Sequence, residues 1–275
     1  MINKLFTKAT LIRTLSSVLL LAVALFTLIM GGNILFVTMF VVSLIGQFEL
    51  YRVISRQKSL VGILGYMACI GYYLLLLLEM QEFAMLLMIV FLMVIMAAYV
   101  FTFPGYKAGE ICYIFFGFFY VAVMMSYVYQ IRELPNGICL VFLVFLSSWI
   151  CDTCAYLVGV TIGKHKLAPK LSPNKSIEGS VGGIVGAALL GALYGFVFRG
   201  YLSEAFLNPL VGCAIVCGIG AVISQIGDLA ASGIKRNYSV KDYGHLIPGH
   251  GGIMDRFDSV IFVAPAIYFL TIFIR

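Results

Sequence analysis

The chain has 275 residues, of which 62% are hydrophobic and only 11% are charged, and its mean hydropathy is +1.06. This composition excludes a soluble globular protein and is typical of a polytopic helical membrane protein. The net charge of +6 follows from cationic residues that flank membrane spans, so it indicates no nucleic-acid partner.

Apolar runs of about 20 residues, each long enough to cross a hydrocarbon core of about 30 Å, predict about nine transmembrane helices. We therefore expect an all-α, multi-pass protein of the cell membrane, meaning the cytoplasmic or inner membrane. The predicted spans cover residues 12–30, 33–48, 60–78, 83–103, 111–131, 137–161, 180–198, 208–234 and 259–274.

The distribution of lysine and arginine predicts the orientation, because these residues remain on the cytoplasmic side of span ends. With a cytoplasmic N-terminus and nine spans, all 18 Lys and Arg residues fall on cytoplasmic segments except Arg132, Arg199 and Arg275. This asymmetry places the two longest polar loops in the cytoplasm.

The two halves of the chain differ in character. Residues 1–135 are spans with short connections, which predicts a transmembrane scaffold. Residues 136–275 carry charged and small residues inside the spans, and two cytoplasmic loops, 163–179 and 235–258. We expect the catalytic region there, with the active site at the cytoplasmic face. In the same half, glycines four residues apart, Gly182 with Gly186 and Gly191 with Gly195, predict close helix packing.

Two aspartates, Asp152 and Asp228, lie inside apolar segments. A carboxylate near the centre of a bilayer costs about 2.5 to 3.5 kcal/mol even on the lenient insertion scale. Each aspartate is therefore expected either to face a wet cavity or to pair with a cation. A purely structural ion pair with lysine or arginine is the simpler interpretation, and a functional site is the favoured one.

Asp228 belongs to a polar stripe on its predicted helix. Ser224, Asp228, Ser232 and Lys235 are spaced so that they share one helix face toward the cytoplasmic end. The stripe leads into the polar segment KDYGHLIPGHGGIMDRFDS, residues 241–259.

The polar segment 241–259 combines glycines with acids. Its Pro-Gly-His-Gly-Gly run cannot continue a regular helix, and its glycines let the backbone approach a ligand closely with N–H groups facing an anion. Asp255 and Asp258, three residues apart, share a face if a helix restarts there.

The loop GKHKLAPKLSPNKSIEGSVGG, residues 163–183, is rich in lysine and serine. Lysines and hydroxyls on a bent backbone suit phosphate oxygens, whereas Glu178 suits a ribose hydroxyl or a cation. Membrane topology alone also explains the lysines, but it does not explain the Ser-Pro-Asn-Lys run or the glutamate.

Carboxylates, lysines, arginines and glycine-rich backbone on one membrane face match the needs of phosphoryl or nucleotidyl transfer. Mg²⁺ prefers one or two carboxylates together with phosphate oxygens. Zinc is a poor competitor because the two histidines of the segment are five residues apart and no HExxH motif or cysteine cluster accompanies them. The run GVTIGKH at 159–165 lacks the spacing and the Ser or Thr of a P-loop.

The segment SGIKRNYSVKDYGHLIPGHGGIMDRFD, residues 232–258, resembles the signature of the phosphatidate cytidylyltransferases, or CDP-diacylglycerol synthases. That signature reads S-x-x-K-R-x4-K-D-x-G-x2-hydrophobic-P-x-H-G-G-x-x-D-R-x-D, and every specified position is filled. The upstream elements Asp152-Thr153, Gly163-Lys164 and the SPNKS run at 172–176 also resemble the family, which often has SPKKT instead. The resemblance covers about residues 145–275.

The resemblance implies the reaction of CTP with phosphatidic acid in the bilayer to give CDP-diacylglycerol and pyrophosphate. It implies that Asp228 and Asp255 are catalytic and hold Mg²⁺, with Asp258 and Asp152 in supporting roles or at a second, monovalent or divalent cation. The resemblance also implies a catalytic role for Lys235. The implied substrate-binding residues are Ser172, Lys175, Glu178, Ser232, Arg236, Lys241, Asp242, His250, Gly251, Gly252 and Arg256.

Two other functions stay open on the sequence. An ion-coupled transporter would also bury Asp152 and Asp228, although it would not need the glycine-rich polar segment. A CTP-dependent lipid kinase of the polyprenol or phytol type would share most of the chemistry but release CDP. The aspartate pattern of the CDP-alcohol phosphotransferases is absent from the sequence. The sequence also leaves the oligomeric state open, a homodimer included.

Overall fold

A computed structural model of the chain describes residues 8–247, 249 and 251–274, and this part is almost entirely helical. Two π-helical segments, Phe118–Val123 and Leu146–Ile150, each join two consecutive α-helices. The helices are α1 (Lys8–Met30), α2 (Gly32–Val53), α3 (Leu60–Leu77), α4 (Ala84–Phe101), α5 (Ala108–Gly117), α6 (Met124–Glu133), α7 (Gly137–Phe145), α8 (Cys151–Ile162), α9 (Ile177–Val197), α10 (Arg199–Leu202), α11 (Pro209–Asn237) and α12 (Met254–Phe273).

Eight helical segments in the described part are long and apolar enough to cross a membrane. They match the second to ninth predicted spans, each with ends within about five residues of the prediction. The first predicted span falls on α1, whose apolar part is the shorter stretch Ser16–Met30. The predicted fold class, an all-α polytopic membrane protein, is therefore confirmed. The orientation of the termini stays a prediction.

Several helix starts follow from local side-chain chemistry. Ser59 accepts a hydrogen bond from the Gly62 N–H at 3.2 Å at the start of α3, and Ser176 accepts one from the Gly179 N–H at 3.1 Å at the start of α9. Asn208 caps α11, with Pro209 in the first helical position. Each cap satisfies a backbone donor that has no partner within its helix, which is why these helices begin where they do.

The described residues form two compact units, each assembled from several stretches of chain. The first comprises Met1–Phe26, Phe36–Ser126 and Val240–Arg256. Buried tyrosines organise its core: the Tyr51 hydroxyl donates to the Ile114 carbonyl at 2.9 Å, and Tyr73 and Ser43 share a hydrogen bond of 2.8 Å. The polar segment that follows α11 is thus part of a unit built mainly from N-terminal helices.

The second unit comprises Thr27–Leu35, Tyr127–Ser239 and Phe257–Arg275, and its centre is the packing of α9 between α8 and α11. A Cβ added at Gly191 would lie 2.7 Å from the Cys213 carbonyl oxygen, and one at Gly186 would lie 2.8 Å from the Cys154 Cβ. The predicted close approach of helices through these glycines is confirmed, since no larger side chain fits at either contact.

We expect Gly195→Val to destabilise the protein by about 2 kcal/mol or more, because a Cβ there would overlap the backbone of Pro209 on α11. The measurement is the midpoint of thermal unfolding in detergent. Gly218→Ala is the matched control, because its Cβ would make an ordinary 3.5 Å contact with Ala188 across the same helix pair. Equal midpoints for the two variants would contradict the packing argument.

Candidate functional site

A cavity of about 610 Å³ lies in the second unit, between α8, the polar loop after it, α9 and α11. One part of its wall is apolar and comes mainly from α8, with Ala155, Tyr156 and Val160. The remaining part is polar and includes both aspartates that the sequence singled out. The lining residues are Asp152, Ala155, Tyr156, Gly159, Val160, Leu167, Ser172, Asn174, Lys175, Ser176, Gly179, Ser180, Gln225 and Asp228.

The loop after α8 folds as a short antiparallel hairpin of β1 (Lys166–Ala168) and β2 (Ser172–Ser176). The strands pair Lys166 with Ser176 and Ala168 with Ser172. Both strands are sheet edges, so Pro173 in β2 is tolerated. The hairpin presents Ser172 and Lys175 to the cavity, and their binding of substrate stays a prediction.

Lys175 and Asp228 form an ion pair between the Lys175 Nζ and the Asp228 Oδ2. Their side chains keep 27% and 25% of their surface exposed, so the pair is partly open to the cavity. Both expectations for Asp228, a cavity and a cationic partner, are therefore met together. The helix α11 also confirms the polar stripe, because Ser224, Asp228, Ser232 and Lys235 lie on one unbroken helix.

Asp152 is the second residue of α8, which begins at Cys151 directly after the π-helical segment Leu146–Ile150. Such π-helical segments inside α-helices are frequent at functional sites. Asp152 lines the cavity and interacts electrostatically with Lys175 and Asp228.

Asp258 is the third carboxylate of this group and is 8% exposed. Its Oδ1 accepts a hydrogen bond from the Ser259 N–H at 2.8 Å, and it interacts electrostatically with Asp228, Lys235 and Asp152. Three carboxylates, those of Asp152, Asp228 and Asp258, thus interact electrostatically with two lysines, Lys175 and Lys235. Carboxylate oxygens are ligands that Mg²⁺ prefers, and binding of the ion by these residues stays a prediction.

Glu178 makes contacts that the sequence did not predict. Its carboxylate accepts hydrogen bonds from the backbone N–H groups of Lys164 at 3.1 Å and His165 at 3.2 Å, and it lies 2.6 Å from the His165 Nδ1. These bonds tie the start of the hairpin loop to the first turn of α9. Binding of a ribose or a cation by Glu178 stays a prediction.

Gln225 is a cavity residue that sequence reasoning missed. Its Nε2 donates to the Ser180 carbonyl at 3.0 Å and to the Cys151 Sγ at 3.3 Å, and its Oε1 accepts from the Ser180 hydroxyl. This network joins α8, α9 and α11 one turn before Asp228. Its signal in the sequence was a glutamine three residues ahead of Asp228 in an otherwise apolar run.

The remaining predicted residues of the second unit lie at the end of α11. Ser232 and Lys235 are partly buried, and Arg236 is exposed, with its Nε donating to the Leu171 carbonyl at 3.5 Å beside β2. The contact ties α11 to the hairpin.

The polar segment in the first unit is organised around Asp255. Its Oδ2 accepts hydrogen bonds from the backbone N–H groups of Tyr243 at 2.8 Å, Gly252 at 3.0 Å and Gly244 at 3.4 Å. Gly251, at φ +86°, adopts the left-handed conformation that favours glycine. The helix restart is confirmed, because α12 begins at Met254.

The metal-binding role predicted for Asp255 stays a prediction, as do the substrate-binding roles of Gly251 and Gly252. Lys241 and Arg256 are exposed in the first unit, and Asp242 is partly buried. The predicted substrate-binding residue His250 lies outside the described residues. Within the described ranges, no three His, Cys, Asp or Glu side chains form a ready metal-binding group.

Sequence comparison with known proteins identifies the family of the chain. Residues 11–274 match the sequence profile of the cytidylyltransferase family, so the similarity extends well beyond the C-terminal half. The phosphatidate cytidylyltransferase of Bacillus subtilis strain 168 is 32% identical, over 94% of this chain and 96% of its own length. Those of Staphylococcus aureus strain COL and Staphylococcus saprophyticus are each 31% identical, over 95% of this chain and 98% of theirs. The chain belongs to the cytidylyltransferase family.

Proposed function

We propose that the protein is a phosphatidate cytidylyltransferase, which converts CTP and phosphatidic acid to CDP-diacylglycerol and pyrophosphate in phospholipid biosynthesis. The observation that carries the proposal is the cavity, where Lys175 and three serines lie with Asp152 and Asp228 beside an apolar wall. A lipid phosphate needs such a two-sided surface, because its head is anionic and its acyl chains are apolar. The names of the three relatives support the same substrates.

The reaction needs orientation and charge neutralisation more than a strong base. An oxygen of the lipid phosphate is already anionic and attacks the α-phosphorus of CTP in line. A new P–O bond forms as the bond to the β-phosphate breaks, and pyrophosphate leaves with the electron pair. Lys175 and Lys235 are suited to take up the charge that moves onto the leaving group.

Asp228, with Asp152 and Asp258 in support, is the residue of the second unit that we propose holds Mg²⁺. When bound, the ion would neutralise phosphate charge and polarise the α-phosphoryl group. A second cation, monovalent or divalent, suits the remaining carboxylates. Because CTP is soluble and phosphatidic acid remains in the bilayer, we place the reaction at the cytoplasmic face of the cell membrane.

The test uses purified protein with phosphatidic acid in mixed micelles, Mg²⁺ and CTP labelled in the α-phosphate. We expect labelled CDP-diacylglycerol and an equal amount of pyrophosphate, with loss of both when Mg²⁺ is chelated, and no product from ATP. Release of CDP with a phosphorylated lipid would instead identify a lipid kinase. Substrate uptake into proteoliposomes without CTP would identify a transporter.

A further inference from the structure

Glu49 is a buried carboxylate in the first unit, 3% exposed, in the penultimate turn of α2. Its Oε2 accepts a hydrogen bond from the backbone N–H of Met254 at 2.9 Å, and the Ile253 backbone also donates to the carboxylate. Met254 is the first residue of α12, where backbone N–H groups have no partner inside the helix. Glu49 therefore supplies an anionic acceptor to a helix start 205 residues later in the chain.

Two glycines of the polar segment make room for this carboxylate. A Cβ at Gly244 or at Gly252 would overlap the carboxylate oxygens of Glu49. The close approach of backbone to the Glu49 carboxylate gives a physical reason for glycine at both positions.

Arg52, one turn further along α2, holds the same segment at another point. Its Nη2 donates to the Tyr243 carbonyl oxygen, while the Tyr243 N–H donates to Asp255. Residues 243–254 are thus held by Glu49 and Arg52 from α2 and by Asp255 from the start of α12. Among the described residues of this stretch, Ile247 and Gly251 form an isolated β-bridge.

We propose that Glu49 and Arg52 are positioning residues that fix the segment 241–256 in its reactive conformation. The inference rests on the proposed function, because it assigns the segment a part in binding substrate. It also gives α2 a role in the reaction, beyond that of a membrane scaffold. The two glycines and the helix start arranged around the Glu49 carboxylate link it to this segment in particular.

The experiment compares Glu49→Ala and Glu49→Gln with the wild type in two measurements on the full-length protein. Steady-state kinetics give kcat and the KM for CTP, and hydrogen–deuterium exchange reports backbone protection of peptides covering residues 240–256. We expect Glu49→Ala to lower kcat/KM by about tenfold or more, since small misplacements of binding groups have effects of this size. Glu49→Gln retains an acceptor oxygen and is expected to recover part of the loss.

The exchange measurement separates positioning from general stability. We expect faster exchange confined to residues 240–256, in the order Ala, Gln, wild type, and a similar local effect in Arg52→Ala. Glu82→Gln, an exposed carboxylate in the same unit, is the control and should match the wild type in both measurements. Unchanged exchange in this segment, or a uniform rise across all helices of the unit, would overturn the proposal.

Different results would contradict the proposed function and the positioning role of Glu49. If the wild-type protein makes no CDP-diacylglycerol, the proposed function is wrong, and the exchange order still tests whether Glu49 fixes the segment. If the wild type is active and Glu49→Ala retains full kcat/KM, only the positioning role is wrong. Should Glu49→Ala not fold, Glu49→Gln and Arg52→Ala carry the same comparison.

Discussion

Asp228→Asn is expected to lower the kcat for CDP-diacylglycerol formation by roughly 10²-fold or more, which is the scale of loss when one preorganised electrostatic contribution to a transition state is removed. The asparagine retains the size of the side chain but removes its charge. It therefore leaves Lys175 without its ion-pair partner and leaves the cavity with one carboxylate fewer to hold a cation. The measurement is the α-labelled CTP assay at saturating substrates.

The control for this variant is Glu204→Gln, which changes an exposed carboxylate of the same unit that accepts a hydrogen bond from Asn136 at 2.7 Å. It should retain wild-type activity. Raising Mg²⁺ in the assay should restore part of the Asp228→Asn activity if the loss reflects weaker metal binding. Wild-type kcat in Asp228→Asn would remove Asp228 from the catalytic set.

Helix positions were predictable because hydropathy alone determines which segments can lie in a bilayer. The ends of the helices were less predictable, and the end of α2 affects the interpretation of Glu49. The second predicted span stopped at residue 48, where the sequence turns polar, whereas α2 continues to Val53. Glu49 was thereby counted as a residue outside the membrane span. Its burial depends on backbone donors about 200 residues away, and no local pattern in a single sequence contains that contact.

The buried carboxylates of the candidate site were predictable, because burying a charged side chain in a membrane costs free energy. Asp152 and Asp228 stood out because carboxylates in apolar runs need a cavity or a cation, and the structure provides both. The hairpin was not predicted, since Pro173 and Asn174 indicate a turn more than a strand. The contacts of Glu178 were also missed, because a glutamate early in a helix can serve a nearby loop as well as a ligand.

Lys175→Ala is expected to lower kcat/KM for CTP by roughly 10²-fold, because it removes a cation that faces both the cavity and two carboxylates. With the lysine gone, Asp152 and Asp228 repel each other, and an incoming triphosphate meets uncompensated negative charge. Lys175→Arg is the matched control; it retains the charge and should preserve much more activity than alanine. The assay is the initial rate over a range of CTP concentrations.

A double variant distinguishes two roles of Lys175, neutralisation of Asp228 and binding of the triphosphate. If its only role is to neutralise Asp228, then Lys175→Ala combined with Asp228→Asn should be no slower than Asp228→Asn alone. If Lys175 also binds the triphosphate, the double variant should be slower still and show a higher KM for CTP. We expect the second result, because the ion pair is only partly buried and Ser172 and Asn174 of the same strand line the cavity beside it. A double variant equal to Asp228→Asn in both kcat and KM would limit Lys175 to charge compensation.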